Sequence, residues 1–399
     1  MKKIKGFLEK IKKEKPQAIR LATLILIIIV LVITFVTCAR REPPPVAEPE
    51  LIVETPIAPP PPSPVITPPP APKPTPTPTP EPEPEPEPPG PENPLTGLPA
   101  ETDIDITNNR PLAIMINNHV NAMPQLGISK ADIIYEAPVE GTTRMMALYQ
   151  DITDVGKIGS IRSARLYYLD IAQGYDAIYL FAGGSPQAYS AISARKSTHL
   201  DGTGYFGGPT DIFYRDSQRR QTMDIEHTMV TTSDLIAQWL PTYGYRTDHE
   251  DGFESNLHFT DDATPEDGSP AIDFTVDFAV YKTTSFAYDS DEKLYYLSQH
   301  GREYIDGNDD EQIAVTNVLV LKTSVSHIPG DNAGRLNIVT TGNGSGYFIC
   351  GGKLIEIEWS REDESAQFEY TLPDGSELVF GRGKSYICII PNNGEITFD

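Results

Sequence analysis

Between residues 42 and 93 stand 24 of the chain's 38 prolines. Proline fixes φ near about −65° and lacks an amide donor, so neither helix nor sheet can run through such a stretch. Its Thr-Pro and Glu-Pro repeats at 75–88 predict polyproline II instead. At about 3.1 Å per residue the segment reaches on the order of 160 Å, a semi-rigid stalk long enough to lift a domain into a thick cell wall. The stalk divides the chain into a short N-terminal part and a long C-terminal body.

Residues 1–20 form a basic tail with Lys2, Lys3, Lys5, Lys10, Lys12, Lys13, Lys15 and Arg20. An unbroken apolar run follows at 21–39. As a helix rising about 1.5 Å per residue it would span about 28 Å, close to the thickness of a hydrocarbon core. The basic side stays in the cytoplasm, which places residues 40–93 and everything after them outside. Both the basic region and the apolar core are long for a cleaved signal peptide, so an uncleaved single-pass anchor is expected. Cys38, near the outer end of the run, is the alternative: cleavage before it and lipidation. A lipoprotein signal wants a branched aliphatic three places before the cysteine and a small residue just before it. Here those places hold Phe35 and Thr37. Either route tethers the body to the outer membrane face.

The body, 94–399, carries 21 basic against 45 acidic residues. A surface so acidic repels nucleic acid and anionic lipid head groups, which excludes both as partners. Asp/Asn/Gly-rich segments at 261–268 and 306–311 lack the alternating ligand spacing of a calcium loop, and no CxxC or paired-histidine pattern suggests zinc. No metal and no cofactor is expected. Cys350 and Cys388 lie in strand-like runs of an extracytoplasmic region, where they could form a disulfide or stay as two buried thiols.

Hydrophobic patterning predicts an α/β (α+β) fold. Strands are expected at 110–118, 131–137, 144–149 and 177–182, with a helix ended by Gly174, another opened by Pro186, and a third near 232–240. This is a layered domain of mixed sheet and helices over 94–243. A polar linker follows at 244–270. From 271 to 399 nearly every apolar run reads as a strand, with turns at Pro373-Asp374-Gly375 and Gly351-Gly352, so a mainly antiparallel, β-rich second domain is expected.

Catalytic motifs are scarce. Gly183-Gly184-Ser185-Pro186-Gln187 has no glycine after the serine, and His249-Glu250 does not continue into a zinc-protease pattern. Ser163 and Ser185 read as helix caps, and His119, His199 and His227 as loop or packing residues. Asp132 and Glu136 share a strand face, so with Glu140 they are candidate acid and base residues for a hydrolase acting on wall glycan. The stronger constellation is basic. Arg144, Arg162 and Arg165 stand close in sequence to the Gly183-Gly184-Ser185 turn, at the start of a helix. Guanidinium forks and helix-start amides suit a carboxylate or phosphate. The rival reading pairs these arginines internally with Asp132, Glu136, Glu140 or Asp170. Asn117 and Asn118, which end an apolar strand, and His227 complete the candidate ligand-binding set.

NPLTGLP at 93–99, RPLAIMINNHVNAMPQLGISKADIIYEAPVEGTTRMMALYQ at 110–150, IGSIRSAR at 158–165 and FAGGSPQAY at 181–189 resemble the YerB-like family of bacterial envelope proteins. NVLVL at 317–321, GYFICGGKLIEIEW at 346–359 and PDGSELVFGRGKSYICIIP at 373–391 are similar to that family's second domain. The resemblance implies a two-part extracytoplasmic domain of mixed α/β architecture, membrane-attached and lipoprotein-like, and it implies no activity. Family members usually carry proline where Gly159-Ser160 stand here, and histidine-asparagine where His227-Thr228 stand. The expected function is a binding or scaffold module for an anionic or glycan-containing cell-wall component. A wall hydrolase and a structural partner of another membrane protein are the alternatives.

Overall fold

The computed structural model describes residues 90–100, 105–207 and 210–398. The basic tail, the apolar run, Cys38 and nearly all of the proline stalk lie outside the described residues. Among the described residues no helix is long and apolar enough to cross a membrane. Near the start of the described body, Glu92 bridges Pro99 and Asn93 Nδ2 donates to Asp132 Oδ1 at 2.8 Å.

The strands used below are β1 (Leu112–Asn117), β2 (Ile133–Pro138), β3 (Thr143–Tyr149), β4 (Ile178–Phe181) and β5 (His199–Asp201). They continue with β6 (Asp273–Asp277), β7 (Thr283–Asp289), β8 (Leu294–Gln299), β9 (Asn317–Thr323), β10 (Gly342–Cys350), β11 (Lys353–Arg361), β12 (Ser385–Pro391) and β13 (Ile396–Phe398). Helices are α1 (Leu166–Gly174), α2 (Pro186–Arg195) and α3 (Ser233–Trp239).

An eleven-stranded mixed sheet runs β11-β10-β9-β12-β2-β3-β1-β4-β5, with two short strands pairing with β11. β6, β7, β8 and β13 belong to a six-stranded antiparallel sheet. The mixed α/β class expected from the sequence is therefore present, with the antiparallel part after residue 271. The central strands read as continuous apolar runs because both faces are covered. In β1, Ile114 and Ile116 join one core cluster with Phe274, Val276, Phe286 and Leu297 of the smaller sheet. Ala113 and Met115 join the other, with Tyr168, Ile171, Ala188 and Ile192 of the helices. Alternate side chains thus feed two cores, as the two-residue strand period requires. The layers are small sheet, large sheet, helices.

β12 lies parallel to β2, pairing Ile133 with Ser385 and Glu136 with Cys388. The segments 94–243 and 271–399 consequently share one hydrogen-bonded sheet. β9 also runs parallel to β12, so the C-terminal strands are antiparallel in the smaller sheet and partly parallel in the larger. A parallel neighbour needs a long crossover, and turn signals alone do not reveal one.

Cys350 and Cys388 are both buried and unbridged. Cys350 faces the helix-side core and Cys388 the small-sheet core, so a disulfide would have to pass through the sheet.

Candidate functional site

β1, β2, β4 and β5 point the same way, so their carboxyl ends and the start of β3 meet at one edge of the sheet. Residues 161–164 run between the ends of β1 and β4. Arg162 N donates to Met115 O at 2.9 Å, Ala182 N to Arg162 O at 3.0 Å, and Ala164 N to Gly183 O at 2.8 Å. Gly183 turns there with φ +84°, and a Cβ would come within 3.0 Å of Ser163 Oγ, so this turn favours glycine on both counts. Ser185 caps α2, accepting from Ala188 N at 3.1 Å, and Pro186 starts that helix. Its hydroxyl is committed to the cap. Ser163 is not a cap: Arg165 occupies the cap position of α1, and Ser163 Oγ donates to Ala182 O at 3.2 Å.

Arg144 is the second residue of β3, between Asn117 and Ala137, and is 5% exposed. Its Nη1 donates to Ser163 O at 2.7 Å. No carboxylate stands within 4 Å of its guanidinium among the described residues, because the nearby acids are taken. Glu140 binds Arg165 through both oxygens, at 3.0 Å to Nε and 2.6 Å to Nη2. Arg162 donates to Glu226 O at 2.9 Å and stands 3.6 Å from Glu226 Oε2. Burial first, then the neighbouring Arg165 and Arg162 charges, pull Arg144 down to about 9. A buried cation without a counter-ion is costly, and an anion placed beside it recovers that cost. Two further buried donors of the same segment, Ser160 Oγ and Arg162 Nε, have no acceptor.

Asn117 and His227 join Arg144 at this edge. Asn117 Nδ2 meets His227 Nδ1 at 2.9 Å, so that ring nitrogen accepts, and His227 stacks on His119 with centroids 5.3 Å apart. Burial first, with the Arg162 charge, holds His227 below the ordinary histidine value. Arg219, not foreseen from the sequence, fixes the two loops by donating to Ala122 O, Pro124 O and His227 O. Beside the cluster, a cavity of about 230 Å³ is lined by Arg165, Asp170, Ser185 and Gln187 together with Arg335.

The other candidates go elsewhere. Asn118 points through the opposite face of the sheet to Glu136, which is fully buried. Glu136 also accepts from Thr143, Thr284 and Tyr386 and pairs with Lys282 at 3.3 Å. Asp132 accepts from Asn93 and from Gln150 N. Four residues along a strand is about 13 Å, beyond the roughly 5–9.5 Å that separates glycosidase carboxylates. Asp132, Glu136 and Glu140 share no partner and assemble no acid–base pair. Among the described residues no cluster of His, Cys, Asp and Glu could hold a metal ion.

Residues 95–246 match the family described as "Protein of unknown function (DUF3048) N-terminal domain", and 274–387 match its C-terminal domain. The chain belongs to the DUF3048 family. It is 30% identical over 303 residues to "Putative lipoprotein YerB" of Bacillus subtilis (strain 168), covering 75% of this chain and 86% of that protein. It is also similar to the crystal structure of the YerB protein from Bacillus subtilis, with a TM-score of 0.65 and 29% identity over 77% of this chain and 99% of that one. The resemblance read from the motifs at 93–189 and 317–391 is borne out. Within this DUF3048 chain the buried Lys282, Thr284 and Tyr386 were missed from the sequence. A lone lysine in the VYKTT turn carries no local sign that it will be buried against a strand nearly 150 residues earlier.

Proposed function

We propose that this DUF3048 protein is an envelope-tethered binding or scaffold module whose Arg144 edge takes an anionic group of a cell-wall component. The observation that carries this reading is a buried guanidinium with two arginine neighbours and no carboxylate partner among the described residues. The name of the Bacillus subtilis relative supports a tether by lipid, for which Cys38 is the candidate. The apolar run 21–39 supports a single span with a cytoplasmic N-terminus. Mass spectrometry of the mature N-terminus separates these: an intact Lys-rich tail means a span, a diacylated Cys38 a lipid anchor.

The binding claim is tested by sedimenting the full chain with purified wall, before and after acid strips its anionic polymers. Binding to intact wall that falls with stripping, and falls in Arg144→Met, supports the reading. Equal binding by wild type and Arg144→Met overturns it. Release of soluble sugar or peptide from the wall would make the protein a hydrolase instead.

A further inference from the structure

A fully buried polar cluster lies away from the arginine edge, where β2 of the large sheet faces the β6–β7 turn of the small one. Lys282 Nζ stands 3.3 Å from Glu136 Oε1, and Asn118 Nδ2 donates to that same oxygen at 2.7 Å. Amine and amide therefore flank one carboxylate oxygen, and the two nitrogens lie no farther apart than those contacts laid end to end. Asn118 and Glu136 have no exposed surface and Lys282 is 3% exposed. Apolar and aromatic groups close the site. Phe278 lies 6.0 Å from Nζ, Tyr386 donates to Glu136 Oε2 at 2.6 Å, and Met145 packs beneath. Asn118 Oδ1 is buried and has no hydrogen-bond partner. The ion pair accounts for Glu136 and Lys282, and the Asn118 amide donates to Glu136 and Thr143, which leaves the Asn118 carbonyl alone unanswered among the described residues.

We propose that Lys282 and Asn118 form an intramolecular isopeptide bond, with Glu136 carrying the protons. Lys282 Nζ is held beside Glu136 by donating to Thr283 O at 2.9 Å and Thr284 Oγ1 at 3.0 Å, and burial lowers its proton affinity against the opposing pull of Glu136. The ammonium of Lys282 passes one proton to Glu136. Its Nζ lone pair then attacks Cγ of Asn118, and the carbonyl pair moves onto Oδ1, an acceptor that the protonated Glu136 can answer. A second proton leaves Nζ by way of the same carboxyl group and reaches Nδ2. The Oδ1 pair re-forms the carbonyl, the Cγ–Nδ2 bond breaks, and ammonia departs. The product is a secondary amide between Nζ and Cγ, Glu136 retains one proton, and nothing is oxidised or reduced. The bond would staple the small sheet to the large one through their shared core.

The test is mass spectrometry of the full-length chain, purified in detergent, denatured, reduced and digested. The expected result is a linked pair of peptides containing Asn118 and Lys282, lighter than their sum by one ammonia. Lys282→Arg and Asn118→Ala each abolish the pair, and Glu136→Gln abolishes it with both reacting residues still present. The wild-type spectrum decides even where a variant fails to fold. Complete recovery of the two peptides unlinked overturns the proposal and leaves an ion pair only. A link from Lys282 to the Glu136 peptide with loss of water also overturns it, because the acyl donor would then be the carboxylate.

Discussion

Arg144 donates to the carbonyl of Ser163, two residues before Arg165, yet opposite consequences follow from removing each arginine. Arg165 is matched by Glu140 at 2.6 Å, so Arg165→Met strands a half-buried carboxylate and should lower stability by about 1–2 kcal/mol in urea unfolding. Arg144 has no such partner among the described residues, so Arg144→Met should leave stability in urea unfolding unchanged or raise it by about 1 kcal/mol. Asp132 makes a pH prediction. Burial first raises it from 3.8 to about 6. The folded chain then holds this proton more tightly than the unfolded chain. Stability therefore falls as pH rises through the window between about 4 and 6, by at most roughly 3 kcal/mol. Measured by urea midpoints at pH 4 and 7, wild type should lose stability relative to Asp132→Asn, which cannot ionise. The three arginines were legible in the sequence as a basic group in an acidic body. Which one stays unmatched was not, because the Arg165–Glu140 pair joins a helix start to a hairpin turn.

The elements between Lys157 and Lys196 were largely legible, and the exception is informative. The glycine turn, α2 with its Ser185-Pro186 start and the buried strand β4 all follow from local chemistry. Ser163 resembled a cap because it precedes an apolar run, but the backbone around it is held by β1 and β4, so α1 starts three residues later. Tertiary hydrogen bonds overrode a local preference that is worth only about 1 kcal/mol. At Ser185 the cap is real, and Ser185→Ala should cost about 1 kcal/mol in thermal or urea unfolding. Because the hydroxyl serves α2, anion binding should survive that change. α1 ends on Gly174, where a Cβ would meet Ala366 O at 2.6 Å, a contact with the C-terminal part that no local signal announces.

At the scale of the whole molecule, reading the chain in order suggested two successive domains, and the sheet joins them at β2 and β12. Strand pairing between residues some 250 apart leaves no periodic trace, because each strand looks alike whether its neighbour is near or far in sequence. A fragment of 94–246 alone should therefore lack cooperative thermal unfolding in near-ultraviolet circular dichroism, since the unpaired edge of β2 and half of each core would face solvent. The proposed anion site at this edge rests on the unmatched Arg144. Its most direct test is the thermal midpoint of wild type and Arg144→Met with increasing inorganic pyrophosphate, against chloride of equal ionic strength. A ligand bound to the folded state alone raises the midpoint with concentration. A rising midpoint is expected for wild type and a flat one for Arg144→Met; equal shifts in both proteins, or none in either, would rule the site out.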